Sequence, residues 1–222
     1  IVLMIDKSGS MSLNIPDGST SKWGWCQKEI AGFSRVSNKI SPYKLDIVLF
    51  DSTHKILKER TPADVEAIFR DNHPDGGTDV FTPLNHILKE YTDGQTLKPL
   101  LIVIITDGMF NSGSPLERAI IDCVNKLPER KALAITFLEI SGTDSLDCKN
   151  YLQILDEDLV NQGARKDVVD TMYFKEIQSA GFIKALGRAI TYKRPRRVYK
   201  QAPSVFRNKL DEIRERLKKG KD

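Results

Sequence analysis

Ile1-Val2-Leu3-Met4-Ile5-Asp6-Lys7-Ser8-Gly9-Ser10-Met11 joins five apolar residues to one carboxylate and two hydroxyls. Apolar residues without alternation read as a strand covered on both faces. The carboxyl end of such a strand, in an open α/β sheet, is where ligand sites lie. Asp6, Ser8 and Ser10 therefore place three oxygen donors on one loop, and Gly9 is expected to let the backbone turn sharply between them. Hard oxygen donors of this kind suit Mg²⁺, Mn²⁺ or Ca²⁺ rather than zinc.

The same pattern recurs along the chain. Leu100–Ile105 is apolar without alternation and ends in Thr106-Asp107-Gly108, a second carboxylate at the end of a buried strand. Asp75-Gly76-Gly77-Thr78 supplies a hydroxyl in a glycine-bearing loop. Further strands are expected at Leu45–Phe50, Thr53–Leu57, Leu133–Leu138 and Val168–Phe174, the Thr53–Leu57 strand returning beside its predecessor. Helical spacing places helices from near Trp23 to Ile40, after Thr61-Pro62 through Phe69, after Thr82-Pro83, after Ser114-Pro115, and over Lys175–Thr191. Short apolar runs alternating with helices predict an α/β fold: a doubly wound, mostly parallel sheet flanked by helices.

The order D-x-S-x-S, then G-G-T, then a strand ending in T-D-G resembles the von Willebrand factor type A (vWA) domain and its metal-ion-dependent adhesion site. The resemblance spans residues 1–191 and implies a Rossmann-like fold. It assigns Asp6, Ser8 and Ser10 to the first metal loop, Thr78 to the second and Asp107 to the third. It also implies a cation, Mg²⁺ or alternatively Mn²⁺ or Ca²⁺, with one position left open for a partner's Asp or Glu. At finer grain, Lys98–Gly108, Leu152–Leu159 and Gly163–Thr171 look like a cytosolic fungal or microbial subgroup of these domains. Two features depart from the family pattern. Thr78-Asp79-Val80-Phe81-Thr82-Pro83 is not the usual T-x-T-G run, which leaves Thr78 or Thr82 as ligand, with Thr78 preferred for its double glycine. The stretch Ser12–Ser21 lengthens the loop after the first motif and is expected to shield or restrict the metal face.

Other polar and reactive residues read more simply. Asp51, Asp75 and Asp79 are expected to be solvating loop groups, and His54, His73 and His86 lack ligand spacing. Cys123 and Cys148 fall near apolar helical positions, as small core residues do. Cys26, beside Trp23 and Trp25, is either packed or part of a partner-facing aromatic patch, and packing is preferred. Three widely spaced cysteines make neither a disulfide framework nor a zinc site, so a reducing compartment, the cytoplasm or the nucleus, is expected.

The 222 residues carry a net charge of +4, 40% hydrophobic and 29% charged residues, which excludes a disordered or fibrous chain. No apolar run approaches the roughly 18 residues that a membrane helix needs. The charge is unevenly placed: residues 193–222 hold twelve Lys/Arg against four acids, a net of +8, which leaves −4 for residues 1–192. The chain thus divides into a mildly acidic metal-binding domain, 1–191, and a C-terminal basic helical extension, 192–222. In that extension Phe206, Leu210, Ile213 and Leu217 form a short seam for docking on the body, pairing with a helical partner or leading onward. Lys193–Arg197 has the composition of a nuclear-import or polyanion-binding segment, or of a plain basic linker. Beginning within an apolar run and without Met, the sequence reads as a segment of a longer protein.

Three function classes fit these residues. The first is a divalent-cation-dependent protein-interaction module, a scaffold or adaptor rather than an enzyme. The second is a Mg²⁺-dependent phosphotransferase with Asp6 as nucleophile, although Ser8 stands where such chemistry needs a second acid. The third is a structural vWA domain with a vacant metal site. No Ser-His-Asp or Cys-His arrangement and no phosphate-binding G-x-x-x-x-G-K-S/T loop is present.

Overall fold

Strand β1, Val2–Asp6, is buried at every position, because its neighbours on both sides are strands and both of its faces are covered. Leu3 and Ile5 enter one apolar cluster, and Val2 and Met4 enter the other. The period-2 geometry of a strand sends successive side chains to opposite faces, so a strand with two covered faces is apolar along its run, with Asp6 standing at its carboxyl end. The computed structural model describes residues 1–40, 45–108, 114–142 and 146–191, excepting the side chains at 37–40, 114, 146–150 and 187–191. The extension at 192–222, with its basic run and apolar seam, lies outside the described residues.

The other strands are β2 (Leu45–Phe50), β3 (His54–Arg60), β4 (Leu100–Thr106), β5 (Leu133–Glu139) and β6 (Val169–Tyr173). They form one sheet in the order β3-β2-β1-β4-β5-β6. All neighbours are parallel except β2 and β3, which pair antiparallel as expected for the returning strand. Edge strand β3 is only partly covered and carries Lys55, Lys58, Glu59 and Arg60, charges that discourage pairing with another chain. The β2–β3 register shifts between Leu45 and Ile47, and Glu59 takes a positive φ of 56° there, with its N–H held by the Asp46 carboxylate at 2.8 Å.

Helices α1 (Lys22–Ile40), α2 (Pro62–Asp71), α6 (Phe174–Ala180) and α7 (Phe182–Thr191) cover one face, while α3 (Phe81–Asp93), α4 (Ser114–Lys126) and α5 (Leu146–Glu157) cover the other. The start of α2 has the expected signature: Thr61 and Asp64 form a reciprocal capping box around Pro62. The helix expected over Lys175–Thr191 is instead two helices. Gly181, at φ 81°, ends α6 by donating its N–H to the Ile177 carbonyl, and α7 starts afresh. Trp25 packs edge-on against Phe174 and Phe182, with centroids 5.6 Å away in each case, and Cys26 is fully buried. Cys26 is thus packed, as preferred, and Cys123 is buried in the opposite cluster. The Cys148 side chain lies outside the described residues.

The long loop after the first motif is ordered by its own hydrogen bonds. Ile15 N–H donates to Thr20 O at 2.9 Å, Lys22 N–H to Leu13 O at 2.9 Å, and Asn14 bridges Ser21, making a small hairpin around Gly18. Ile15 is buried beneath it, and Pro16 sits against Gly142. A Cβ at Gly142 would overlap Pro16 Cγ, and its φ of 60° already disfavours any side chain. Gly142→Ala is therefore expected to cost about 2–4 kcal/mol through combined backbone strain and overpacking. Urea unfolding checks this, and an unchanged midpoint would mean that the hairpin is not seated on Gly142.

Candidate metal centre

The chain leaves β1 toward α1 on one face of the sheet and leaves the adjacent β4 toward α4 on the other. This reversal opens a crevice beyond the carboxyl ends of β1 and β4, the general ligand position of open α/β sheets. Asp6 and Asp107 both stand there.

Asp6 is fully buried. Its Oδ1 accepts the Ser8 N–H at 2.8 Å and its Oδ2 accepts the Thr106 hydroxyl at 2.7 Å. Burial pushes its carboxyl up to about 6, against hydrogen bonds from Ser8 and Thr106 that pull it down, and the nearby Asp107 charge adds to the rise. After Ser8 the backbone enters a 3-10 turn, Gly9–Ser12, which brings the Ser8 and Ser10 hydroxyls to 3.1 Å from one another. The sharp turn expected at Gly9 is made by this 3-10 geometry and not by a left-handed glycine. The positive-φ glycines around the centre are Gly76 at 74° and Gly108 at 83°. Gly9 instead donates its N–H to Gly76 O at 3.1 Å.

That bond ties the second loop to the first. Asp75 N–H also donates to Lys7 O at 2.8 Å, and Gly77 N–H donates to the Ser52 hydroxyl at 2.9 Å. Half-buried Thr78 follows directly, so its loop lies against the one that carries Ser8 and Ser10. The alternative, Thr82, is exposed at the start of α3, where its hydroxyl donates to Asp79 Oδ2 at 2.6 Å and its N–H to Asp79 Oδ1 at 3.0 Å. Asp79 thus acts as a helix cap, and Asp75 accepts the N–H of Gly76. Asp51 is not the solvating group expected. It is 9% exposed, pairs with Lys7 at 2.5 Å and accepts the N–H and hydroxyl of Thr53. Burial works against its ionised form, but the bonds from Lys7 and Thr53 prevail and hold the carboxyl below its ordinary value.

Asp107 is 3% exposed at the end of β4. Its Oδ2 accepts Lys22 Nζ at 3.0 Å, and the same ammonium reaches Ser10 O at 3.4 Å. Its Oδ1 is buried and has no hydrogen-bond partner among the described residues. A buried carboxylate oxygen without a partner is costly, and a cation held beside it would offset that cost. Sequence reasoning missed two residues here. Thr106 was visible as the Thr of T-D-G, and its hydroxyl links Asp6 to the Gly108 N–H at 3.1 Å. Lys22 carried no spacing signal, since its partner lies 85 residues away.

Among the described residues no group of three or more His, Cys, Asp or Glu side chains comes together. The donor set is two buried carboxylates with hydroxyls, all hard oxygens, and its chemistry fits a divalent ion of the Mg²⁺, Mn²⁺ or Ca²⁺ type. Cys26, one helical turn beyond Lys22, is an inert thiol: burial pushes it well up, and the negative charges of Asp6 and Asp107 push it further.

No family model and no curated protein matches the chain. Solved structures do match it. BatB from Bacteroides thetaiotaomicron is similar with a TM-score of 0.56 and 16% identity over 86% of this chain and 96% of that one. The PilB minor pilin from Streptococcus sanguinis gives a TM-score of 0.56 and 15% identity over 86% of this chain and 61% of that one. A von Willebrand factor type A protein from Catenulispora acidiphila gives a TM-score of 0.53 and 15% identity over 85% of this chain and 42% of that one. The chain therefore spans less than two thirds of the PilB and Catenulispora chains and nearly all of BatB. The fold is vWA-like, α/β with a mostly parallel six-stranded sheet among the described residues.

Proposed function

We propose that this vWA-like chain is a divalent-cation-dependent protein-interaction module that acts as a scaffold or adaptor in a larger complex. Asp6, Ser8, Ser10, Thr78 and Asp107 would hold Mg²⁺, with Mn²⁺ or Ca²⁺ as alternatives. The ion, when bound, supplies the positive charge that a partner's Asp or Glu seeks in a partly desolvated cleft. The observation that carries this reading is the buried Asp107 Oδ1, without a hydrogen-bond partner among the described residues, beside the buried Asp6 at the sheet's switch point. A minor pilin among the similar structures accords with an interaction role.

The chain's own residues prepare the site. Thr106 and the Ser8 amide fix both oxygens of Asp6. The Gly9–Gly76 bond holds the hydroxyl loops together. The hairpin over residues 12–21 rims the site, and Leu13 on it is 61% exposed, an apolar neighbour for a partner side chain. The phosphotransferase alternative is less well supported: Ser8 stands in place of the acid that would protonate a leaving group. Among the described residues no helix is long and apolar enough to cross a membrane. A cytoplasmic place, or a nuclear one, rests on the free, buried thiols of Cys26 and Cys123. Residues 193–222 are proposed to meet a helical partner or a polyanion.

Affinity capture from the native extract tests the proposal. Proteins retained by the chain in Mg²⁺ should be lost both in EDTA and on Asp6→Asn. Identical captures under all three conditions would end the metal-dependent reading. Release of phosphate from generic phosphoesters, dependent on Asp6, would replace it with the enzyme.

A further inference from the structure

Lys22 is 6% exposed, and its ammonium is held between Asp107 Oδ2 and the carbonyl of Ser10, inside the first and third metal loops. It is also the first residue of α1, where the positive end of the helix dipole disfavours a cation, and no acid stands in that first turn to offset it. A lysine buried there against the local field is held by the Asp107 carboxylate at 3.0 Å. The hairpin makes the placement rigid, since Lys22 N–H is bonded to Leu13 O at 2.9 Å.

We infer that Lys22 is the internal counter-cation of this centre, competing with the divalent ion for Asp107 and keeping the site's affinity for that ion low. The inference rests on the metal-binding reading above and deepens it. Asp6, Asp107 and Lys22 together carry one negative charge, which underbalances a dication. Without Lys22 the two carboxylates match a dication alone. With Lys22 present, charge neutrality is reached only when both the dication and one further carboxylate arrive, so the lysine shifts the site's preference from bare metal toward metal plus a partner's acid. For the dication to use Asp107 fully, the ammonium must yield its contact with Oδ2.

Calorimetric titration with Mg²⁺ alone tests this on the parent chain, Lys22→Met and Lys22→Gln, each checked for folding by circular dichroism. Both variants should bind Mg²⁺ at least about tenfold more tightly than the parent, as removal of a neighbouring positive charge requires. Parent-like or weaker binding in both would overturn the role of Lys22 and leave the metal site standing. Absence of Mg²⁺ binding in the parent and in both variants, and of binding when Mn²⁺ and Ca²⁺ are titrated in the same way, would overturn the metal reading itself. Should the variants fail to fold, acetic anhydride labelling of the parent decides the matter. Lys22 should be protected in EDTA and should label faster in Mg²⁺, whereas equal labelling would contradict displacement.

Discussion

Asp107→Ala is expected to lower stability by about 3–5 kcal/mol in EDTA, and Lys22→Met in the same chain to restore much of the loss. The two side chains are 1% and 7% exposed and 3.0 Å apart, so neither charge has water to turn to when its partner is removed. Deleting Asp107 leaves a buried ammonium with the Ser10 carbonyl, at 3.4 Å, as its remaining hydrogen-bond partner among the described residues. Replacing both ends by uncharged groups removes the desolvation cost on both sides, which is why intact buried pairs often contribute little while half-pairs are severe. Urea unfolding of the parent, both single variants and the double variant gives the coupling directly. Additive single effects would mean that the pair is not an energetic unit. The distance between the two in the sequence makes accidental coupling through local structure an unsuitable explanation of any non-additivity.

Asp6→Asn should abolish the thermal stabilisation conferred by Mg²⁺ while leaving the chain at least as stable as the parent in EDTA. At a Mg²⁺ concentration about 100 times the dissociation constant, binding stabilises by about 2.7 kcal/mol. In a chain of this size that raises Tm by roughly 5–10 °C. Loss of the Asp6 charge should remove that rise. The EDTA arm follows from the sign of the carboxyl's shift. Its value is about 6 when folded against 3.8 ordinarily, chiefly through burial. Between those values the folded chain holds a proton that the unfolded chain has lost, so this group's contribution to stability falls as pH rises through that window. Above it, the buried charge is a net cost, which Asn removes while still offering an oxygen to the Ser8 N–H. A variant much less stable than the parent in EDTA at neutral pH would contradict this description of Asp6.

The unbroken apolar runs at Ile1–Ile5 and Leu100–Ile105 made the sheet legible because burial on both faces favours apolar residues up to the strand's carboxyl end, where Asp6 and Thr106 stand. The motif order placed Asp6, Ser8, Ser10 and Asp107 at strand ends that prove adjacent, since β1 and β4 are neighbours. Three features lay beyond that kind of reading. The break at Gly181 falls inside a helical pattern that continues in phase on both sides. Helix α5 shows little apolar stripe, Leu152 and Leu155 being its fully buried described residues. The loop expected to shield the metal face became a hairpin with a buried Ile15, and it delivers Lys22 to Asp107 through a contact that only the tertiary fold creates. The roles of Asp51 and Gly9 were likewise decided by cross-loop bonds, to Lys7 and to Gly76, which carry no local signature.

Crystals of the chain grown with Mn²⁺ and measured for anomalous scattering test the central claim most directly. A peak within about 2.5 Å of the Ser8 and Ser10 hydroxyls, on the side that faces Asp107, is the result predicted for this donor set. A fully ordered site at saturating Mn²⁺ with no peak there, and with Lys22 still on Asp107, would contradict it.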